Sequence, residues 1–213
     1  MTERLNIIFD HIPNCEIFAD IGCDHGYIAY EMLKSNKANK VIISDISEKC
    51  LLKAQELLYP FISQGRAVSV VSDGFNKVGF CSVALIAGMG GEEICSIIKN
   101  AKSLPEKLVL QPMKNCDKVR LCVVEQGYKI VKDFVFKSSS KFYDLMVLER
   151  GKDSLTQEEI EFGRDNIKTS SNHFKQFIAQ KISRLDGYLE NENLSSQDRE
   201  KMVKEKERLA KYV

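Results

Sequence analysis

Asp20, Gly22, Asp24 and Gly26 recur at every second position of the stretch ADIGCDHGYI (19–28), with His25 and Tyr27 set among them. Glycines let a backbone turn sharply and approach a ligand closely. The acids say what kind of ligand. A pyrophosphate loop is kept free of carboxylates, and neither the fingerprint G-x-G-x-x-G nor a phosphate-loop lysine is present. Asp20 and Asp24 suit a partner that carries positive charge and hydroxyl groups. His25, and Tyr27 beside it, are candidates to orient a reacting group. Cys23 lies in the same loop, but nothing in the sequence aims it at a substrate.

Such a loop must be held at the end of a buried strand. The runs 15–21, 40–46, 66–73, 82–88 and 107–113 are short, apolar and rich in Val and Ile, as buried parallel strands are. Helical patterns lie between them: 51, 54, 57, 58 and 61 share one face, and GEEICSIIKNAK opens on glycine and acids. The alternation predicts a doubly wound sheet, which binds ligands at the carboxyl ends of its strands. Three further strand ends carry unusual residues. Asp45 closes VIISD about 20 residues beyond the glycine loop, where an acid can accept from ribose hydroxyls. Ser47 is available to cap the next helix in its place. In SDGF (72–75), Asp73 could take an adenine amino group and Gly74 lets the backbone come close. IAGMGG (86–91) supplies three glycines that make room for a large flat group.

After Lys114 a helix to about Gln126 leads into two antiparallel strands joined at Ser138–Ser140. A parallel sheet with an antiparallel edge hairpin is the layout of class I S-adenosylmethionine (SAM) methyltransferases, an α/β Rossmann-like fold. SAM carries the sulfonium and α-ammonium groups that the acidic loop asks for. From Gly151 onward strands vanish, so the domains are expected at 1–150 (methyltransferase) and 151–213 (helical hairpin). Thr156 and Glu159 form a capping-box signature. Phe174, Ile178, Ile182, Leu185 and Leu189 repeat at helical spacing, a turn is expected at Asn191–Asn193, and a last helix starts near Ser195 or Ser196. The hairpin reads as coiled-coil-like, with a thin second seam of Met202, Leu209 and Val213.

The balance of 31 basic and 30 acidic residues does not announce a nucleic-acid binder, so any such surface must be local. One local excess exists: Arg164, Lys168 and Lys175 are spaced to share roughly one helical face and could meet phosphates. The seven cysteines are scattered and the three histidines stand apart, so reduced thiols and no metal are expected. No apolar run is long enough to span a membrane, and the opening residues lack a signal-peptide pattern, so a cytoplasmic protein is expected. A monomer is the simpler expectation.

Taken in order, IPN (12–14), ADIGCDHGY, SDISE (44–48), SDGF, IAGMGG, LQP (110–112) and KFYDLMV (141–147) resemble the TrmK family, bacterial tRNA (adenine-N1)-methyltransferases that modify the adenosine at tRNA position 22. The resemblance covers residues 1 to about 150, and is looser in the tail. It implies SAM as cofactor and tRNA as partner. It places Asp20, Gly22, Asp24, Gly26, Asp45, Asp73, Gly74, Ala87, Gly88 and Met89 around the cofactor. It places Gly90, Gly91, Gln111 and Pro112 at the substrate mouth. Cys23, Gly26 and Met113 depart from the usual family residues (Ser or Thr, Ala, and Asn). The exocyclic-amine motif N-P-P-Y is absent, with AGMGG in its place, which favours a ring nitrogen as target. Two other classes stay open on the residues alone: a methyltransferase for a small metabolite, and a non-catalytic SAM-fold protein that binds RNA or a partner.

Overall fold

The computed structural model describes residues 1–191 and 193–213. A short helix, α1 (Glu3–His11), precedes β1 (Cys15–Ile21), α2 (Tyr27–Lys34), β2 (Ala38–Asp45), α3 (Glu48–Ile62), β3 (Ala67–Val71), β4 (Val83–Met89), α4 (Gly91–Lys99), β5 (Lys107–Pro112) and α5 (Cys116–Glu125). The hairpin β6 (Tyr128–Ser138) and β7 (Lys141–Arg150) follows. The tail then runs as α6 (Gln157–Phe162), α7 (Arg164–Thr169), α8 (Asn172–Leu189) and α9 (Ser196–Leu209). The strands form one sheet in the order β3-β2-β1-β4-β5-β7-β6. β1 to β5 are parallel, and β7 runs antiparallel to both β5 and β6. This is the class I methyltransferase arrangement expected from the alternating pattern. No helix of the described residues is long and apolar enough to cross a membrane. No group of three or more His, Cys, Asp or Glu among them could hold a metal.

β1 shows how the sheet builds its two faces. Its last four residues are all buried, yet the period of two still sorts them. Phe18 joins Ile8, Met32 and Leu58 beneath α1, α2 and α3, whereas Ala19 and Ile21 join Ile94, Ile98 and Val119 beneath α4 and α5. Asp20 therefore points to the α2 side, the one acid in a buried run. β1 lies between β2 and β4, so the crossovers leave in opposite directions from its end. That switch point opens the crevice above Ile21.

A third cluster fastens the tail to the sheet edge. Phe174 and Ile178 of α8, Phe162 of α6 and Leu209 of α9 pack on Val135 of β6, and Tyr212 stacks edge-on against Phe174. Thus the second seam differs from the expected one: Tyr212 fills it, while Val213 is exposed. The expected Thr156–Glu159 capping box is present, and Ser195 caps α9. The turn expected at Asn191–Asn193 includes Glu192, which lies outside the described residues.

Beneath α6 lies a fully buried arginine. Arg120 Nε and Nη2 donate to Asp133 at 2.7 and 2.9 Å, and Nη2 donates to Asp144 Oδ1 at 2.6 Å. Nη1 donates to the carbonyls of Ile160 and Glu161, both at 3.1 Å. All five guanidinium N–H groups are spent. Burial acts to strip its proton, but the two carboxylates outweigh burial and push its pKa up. Gly163 is required here: a Cβ would fall 2.6 Å from Asp133 Oδ1 and 2.9 Å from Arg120 Nη2.

Candidate functional site

The loop after β1 is anchored by main-chain bonds. The N–H groups of Gly22 and Cys23 both donate to Ser44 O of the neighbouring strand, at 2.7 and 3.0 Å. Gly22 and Gly26 both sit at φ +71°, and Asp24 between them is also left-handed at φ 49°. Asp24 N–H then donates to Asp45 Oδ2 at 3.2 Å, while Ser47 N–H donates to Asp45 Oδ1 at 2.8 Å. Ser47, not Asp45, caps α3 through its side chain, so the Asp45 carboxylate keeps free lone pairs above the crevice.

The loop's side chains form a short chain of contacts. His25 Nδ1 lies 2.8 Å from Asp24 Oδ2, and Lys53 Nζ lies 3.4 Å from Nε2. The His25 ring stacks on Tyr27 with centroids 5.6 Å apart and planes 1° from parallel. Asp20 is 5% exposed. Burial raises its pKa to about 7, the Ala29 amide opposes this, and the negative charge of Asp45 adds to it. Burial, with Asp20 and Asp45 next, also pushes the Cys23 thiol far up, so Cys23 stays a neutral thiol.

The crevice is a groove of about 370 Å³ reaching from Gly22 and Asp24 past Asp45 to Asp73, Gly74 and Glu93. A smaller space of about 100 Å³ adjoins it, reaching down to Asp20 and out to His25 and Tyr27. Together they are large enough for a nucleoside-sized ligand. Ala87, Gly88 and Met89 form one wall of the groove. The lining is acidic and so fits a cationic ligand with hydroxyl groups, and fits a phosphate poorly.

Two expectations for the substrate mouth need correction. Gly91 does not open space: a Cβ there would lie 2.5 Å from Asn115 O and 2.6 Å from Lys114 O, so it serves the close packing of α4 on the β5–α5 loop. Gly90 differs: a Cβ there would meet only the end of the Lys114 side chain, at 3.3 Å, so this position keeps its expected openness. Gln111 and Pro112 are both buried, and the Gln111 amide is spent on Arg4, Pro112 and Met113. The single basic helical face is also corrected. Ser170, left-handed at φ 44°, breaks the chain between α7 and α8, so Lys168 and Lys175 stand on different helices. Both are exposed. Arg164 is committed within the fold: it pairs with Asp153 at 2.9 Å and with Glu159 at 2.8 Å.

Residues 1–146 match the family model described as a methyltransferase domain. The chain belongs to the methyltransferase-domain family. Among curated relatives, the tRNA (adenine(22)-N(1))-methyltransferase of Bacillus subtilis is 27% identical over 71% of this chain and 66% of its own length. Among solved structures, Sp1610 of Streptococcus pneumoniae superposes with TM-score 0.91 at 23% identity, over 100% of this chain and 99% of its own. TrmK of M. capricolum, in complex with S-adenosyl-homocysteine, superposes at 0.87 and 24%, over 100% and 97%. At these identities the superpositions establish the fold.

Two groove residues of this methyltransferase escape a reading of the sequence. Glu93, in the first turn of α4, reads there only as a helix-start acid. Arg4 lines both compartments from α1, a helix of nine residues that the strand-and-helix alternation does not include. A usable signal is present: Thr2 caps the helix, with Leu5 and Ile8 spaced to share its inner face.

Proposed function

We propose that this methyltransferase transfers the methyl group of SAM to N1 of an adenosine, position 22, in tRNA, as TrmK proteins do. The observation that carries the cofactor reading is the acidic groove at the β1/β4 switch point, with Asp45 held open by Ser47. Similarity to the B. subtilis enzyme along most of the chain supports the substrate. When bound, the cofactor supplies an electrophilic methyl on a cationic sulfur. The chain's residues have the rest to do. Asp45 accepts from the ribose hydroxyls and Asp73 from the adenine amino group. Gly22, Asp24, Gly74 and the 87–89 wall shape the groove. Asp24, His25 and Tyr27 present an ordered ring pair at its mouth, where a base can be positioned. Adenine N1 attacks through an in-plane lone pair and needs no general base, so orientation and exclusion of water carry the rate. The target base must leave its stack to enter.

Asp45→Ala is expected to weaken SAM binding about tenfold or more, since a hydrogen bond to a charged group contributes about 1.5–3 kcal/mol. Calorimetry on the folded variant reads this directly, and unchanged affinity would remove Asp45 from the cofactor site. The activity itself is tested by methyl transfer to a tRNA transcript with adenosine at position 22, against one with guanosine there. Equal transfer to both, or none to either, refutes the assignment.

We also assign 151–213 as a tRNA-holding unit, with Lys168 and Lys175 as the lysines that meet phosphates and Arg164 as a brace. Deleting the tail is a poor test, because α6 supplies two carbonyls to buried Arg120 and α8 covers Val135. The double change Lys168→Glu and Lys175→Glu touches neither. It is expected to leave SAM affinity intact, weaken tRNA binding and lower the salt slope by about two units, near one for each phosphate no longer neutralised. A wild-type slope would make the tail a packing element only.

A further inference from the structure

The groove divides by strand. Asp24, Asp45 and Asp73 stand at the carboxyl ends of β1, β2 and β3, and Glu93 joins them from the first turn of α4. The ends of β4 and β5, on the other side of the switch point, carry thioethers instead: Met89 closes β4, and Met113 follows Pro112 at the end of β5. Tyr27, which lines the smaller compartment beyond β1, is 48% exposed. β1, β4 and β5 are neighbours in the sheet, so Tyr27, Met89 and Met113 make an apolar row across three strand ends.

Met113 is fastened rather than loose. Its N–H donates to Met89 O at 2.8 Å, so its backbone stays paired to β4 past the end of β5. Its Sδ accepts from Gln111 Nε2 at 3.5 Å and lies 3.8 Å from Arg4 Nη1. Gln111 is fully buried and gives a fixed anchor. Yet Met113 is 47% exposed. A scattered apolar residue on a surface needs no purpose. This one is tied at three points, and the Arg4 it touches lines both compartments. Met89 is placed by Gly88, whose φ of +81° accompanies the irregularity in the β4–β5 pairing. The Met89 methyl lies where a Cβ on Gly22 would have to go. One thioether therefore sits inside the groove and the other at its lip.

A flat, neutral ring needs apolar contact on its face, and an unbranched, polarisable thioether adapts to one. We propose that Met113 takes the face of the target adenine at the groove mouth. It has no strong donor or acceptor, so it holds the ring without engaging its edge, and the N1 lone pair stays free for the methyl group. This rests on the tRNA reading above and names a residue that positions its substrate.

The test compares wild type, Met113→Ala and Met113→Leu on full-length tRNA transcripts. Calorimetry reads SAM affinity, and initial rates read kcat/KM on the transcript with adenosine at position 22. A transcript with 2-aminopurine there reads base extrusion, because its fluorescence rises as the base leaves its stack. Met113→Ala is expected to lower kcat/KM about fivefold to thirtyfold, the lower part of the range for aromatic side chains that stack on bases. It is also expected to shrink the fluorescence rise, with SAM affinity as in wild type. Met113→Leu, which restores apolar bulk, is expected to recover most of both losses. Wild-type kcat/KM and fluorescence in Met113→Ala overturn the proposal. A fall in SAM affinity that accounts for the lost rate also overturns it, since Met113 then supports the cofactor groove through Arg4. So does Met113→Leu as impaired as Met113→Ala, because the sulfur's contacts with Gln111 and Arg4 would then matter and not its bulk. If wild type transfers no methyl to the adenosine transcript, the tRNA reading itself fails, a result seen before any variant is compared.

Discussion

Arg120→Met is expected to lower the unfolding free energy by about 3–5 kcal/mol, the range measured when one partner of a buried ion pair is removed. The side chain is fully buried and Asp133 is 1% exposed, so water cannot replace the missing donors. Asp133 would be left ionised without its bidentate partner, or forced to take up a proton. The carbonyls of Ile160 and Glu161 would lose their donor too, and α6 would loosen from the sheet edge. For a chain of this size the loss corresponds to a melting point lower by about 6–20 °C. Urea unfolding measures the free energy, and limited proteolysis should show the first cuts around α6 and α7. Replacing the pair together, Arg120→Met with Asp133→Leu, should recover only part of the loss, because the Asp133 charge is gone but Asp144 still loses its cation. A loss below about 1 kcal/mol in the single variant would mean that solvent reaches the cluster.

SAM affinity is expected to fall as pH drops below about 7, by up to about tenfold per pH unit, through Asp20 alone. The sign follows from which state holds the proton. The folded carboxyl has a pKa of about 7 against 3.8 unperturbed, so between those values the folded chain binds the proton and the unfolded chain has released it. Stability without ligand therefore declines as pH rises from about 4 to about 7, and is level above that. A cationic ligand beside Asp20 favours the carboxylate, so binding at pH 6 must expel a proton that binding at pH 8 need not. Calorimetry at pH 6 in two buffers of different ionisation enthalpy should detect this release, and thermal shifts from SAM should be larger at pH 8. Asp20→Asn should flatten the profile. An unchanged profile in Asp20→Asn would assign the titration to another group and take Asp20 out of contact with the cation.

Local signals carried much of this protein. The strand β1 and its D-x-G-x-D-x-G loop are legible because a period of two, a change to glycine and the chirality limits on a turn all act within a few residues. The same holds for Asp45 and Asp73 at later strand ends, for the Thr156 capping box, and for the two-residue connection of β6 to β7. The doubly wound layout also followed, since right-handed crossovers leave few ways to wind alternating elements, while the strand order itself came from the structure. What only the tertiary structure decided are the partners of residues far apart in the chain. Arg4 meets Gln111 across 107 positions because α1 docks beside the end of β5, and no window of sequence joins them. Arg120, Asp133 and Asp144 read as scattered surface charges on one helix and two strands until packing buries them together. The spacing of Lys168 and Lys175 implied one helical face, but periodicity assumes an unbroken helix. Ser170 ended that helix in a left-handed turn, and Ser171 capped the next one through its side chain, while α7 packs on β6 and α8 on Val135. Gly91 likewise looked like open space, and its function is the opposite: two backbone carbonyls press against it from a loop more than twenty residues away.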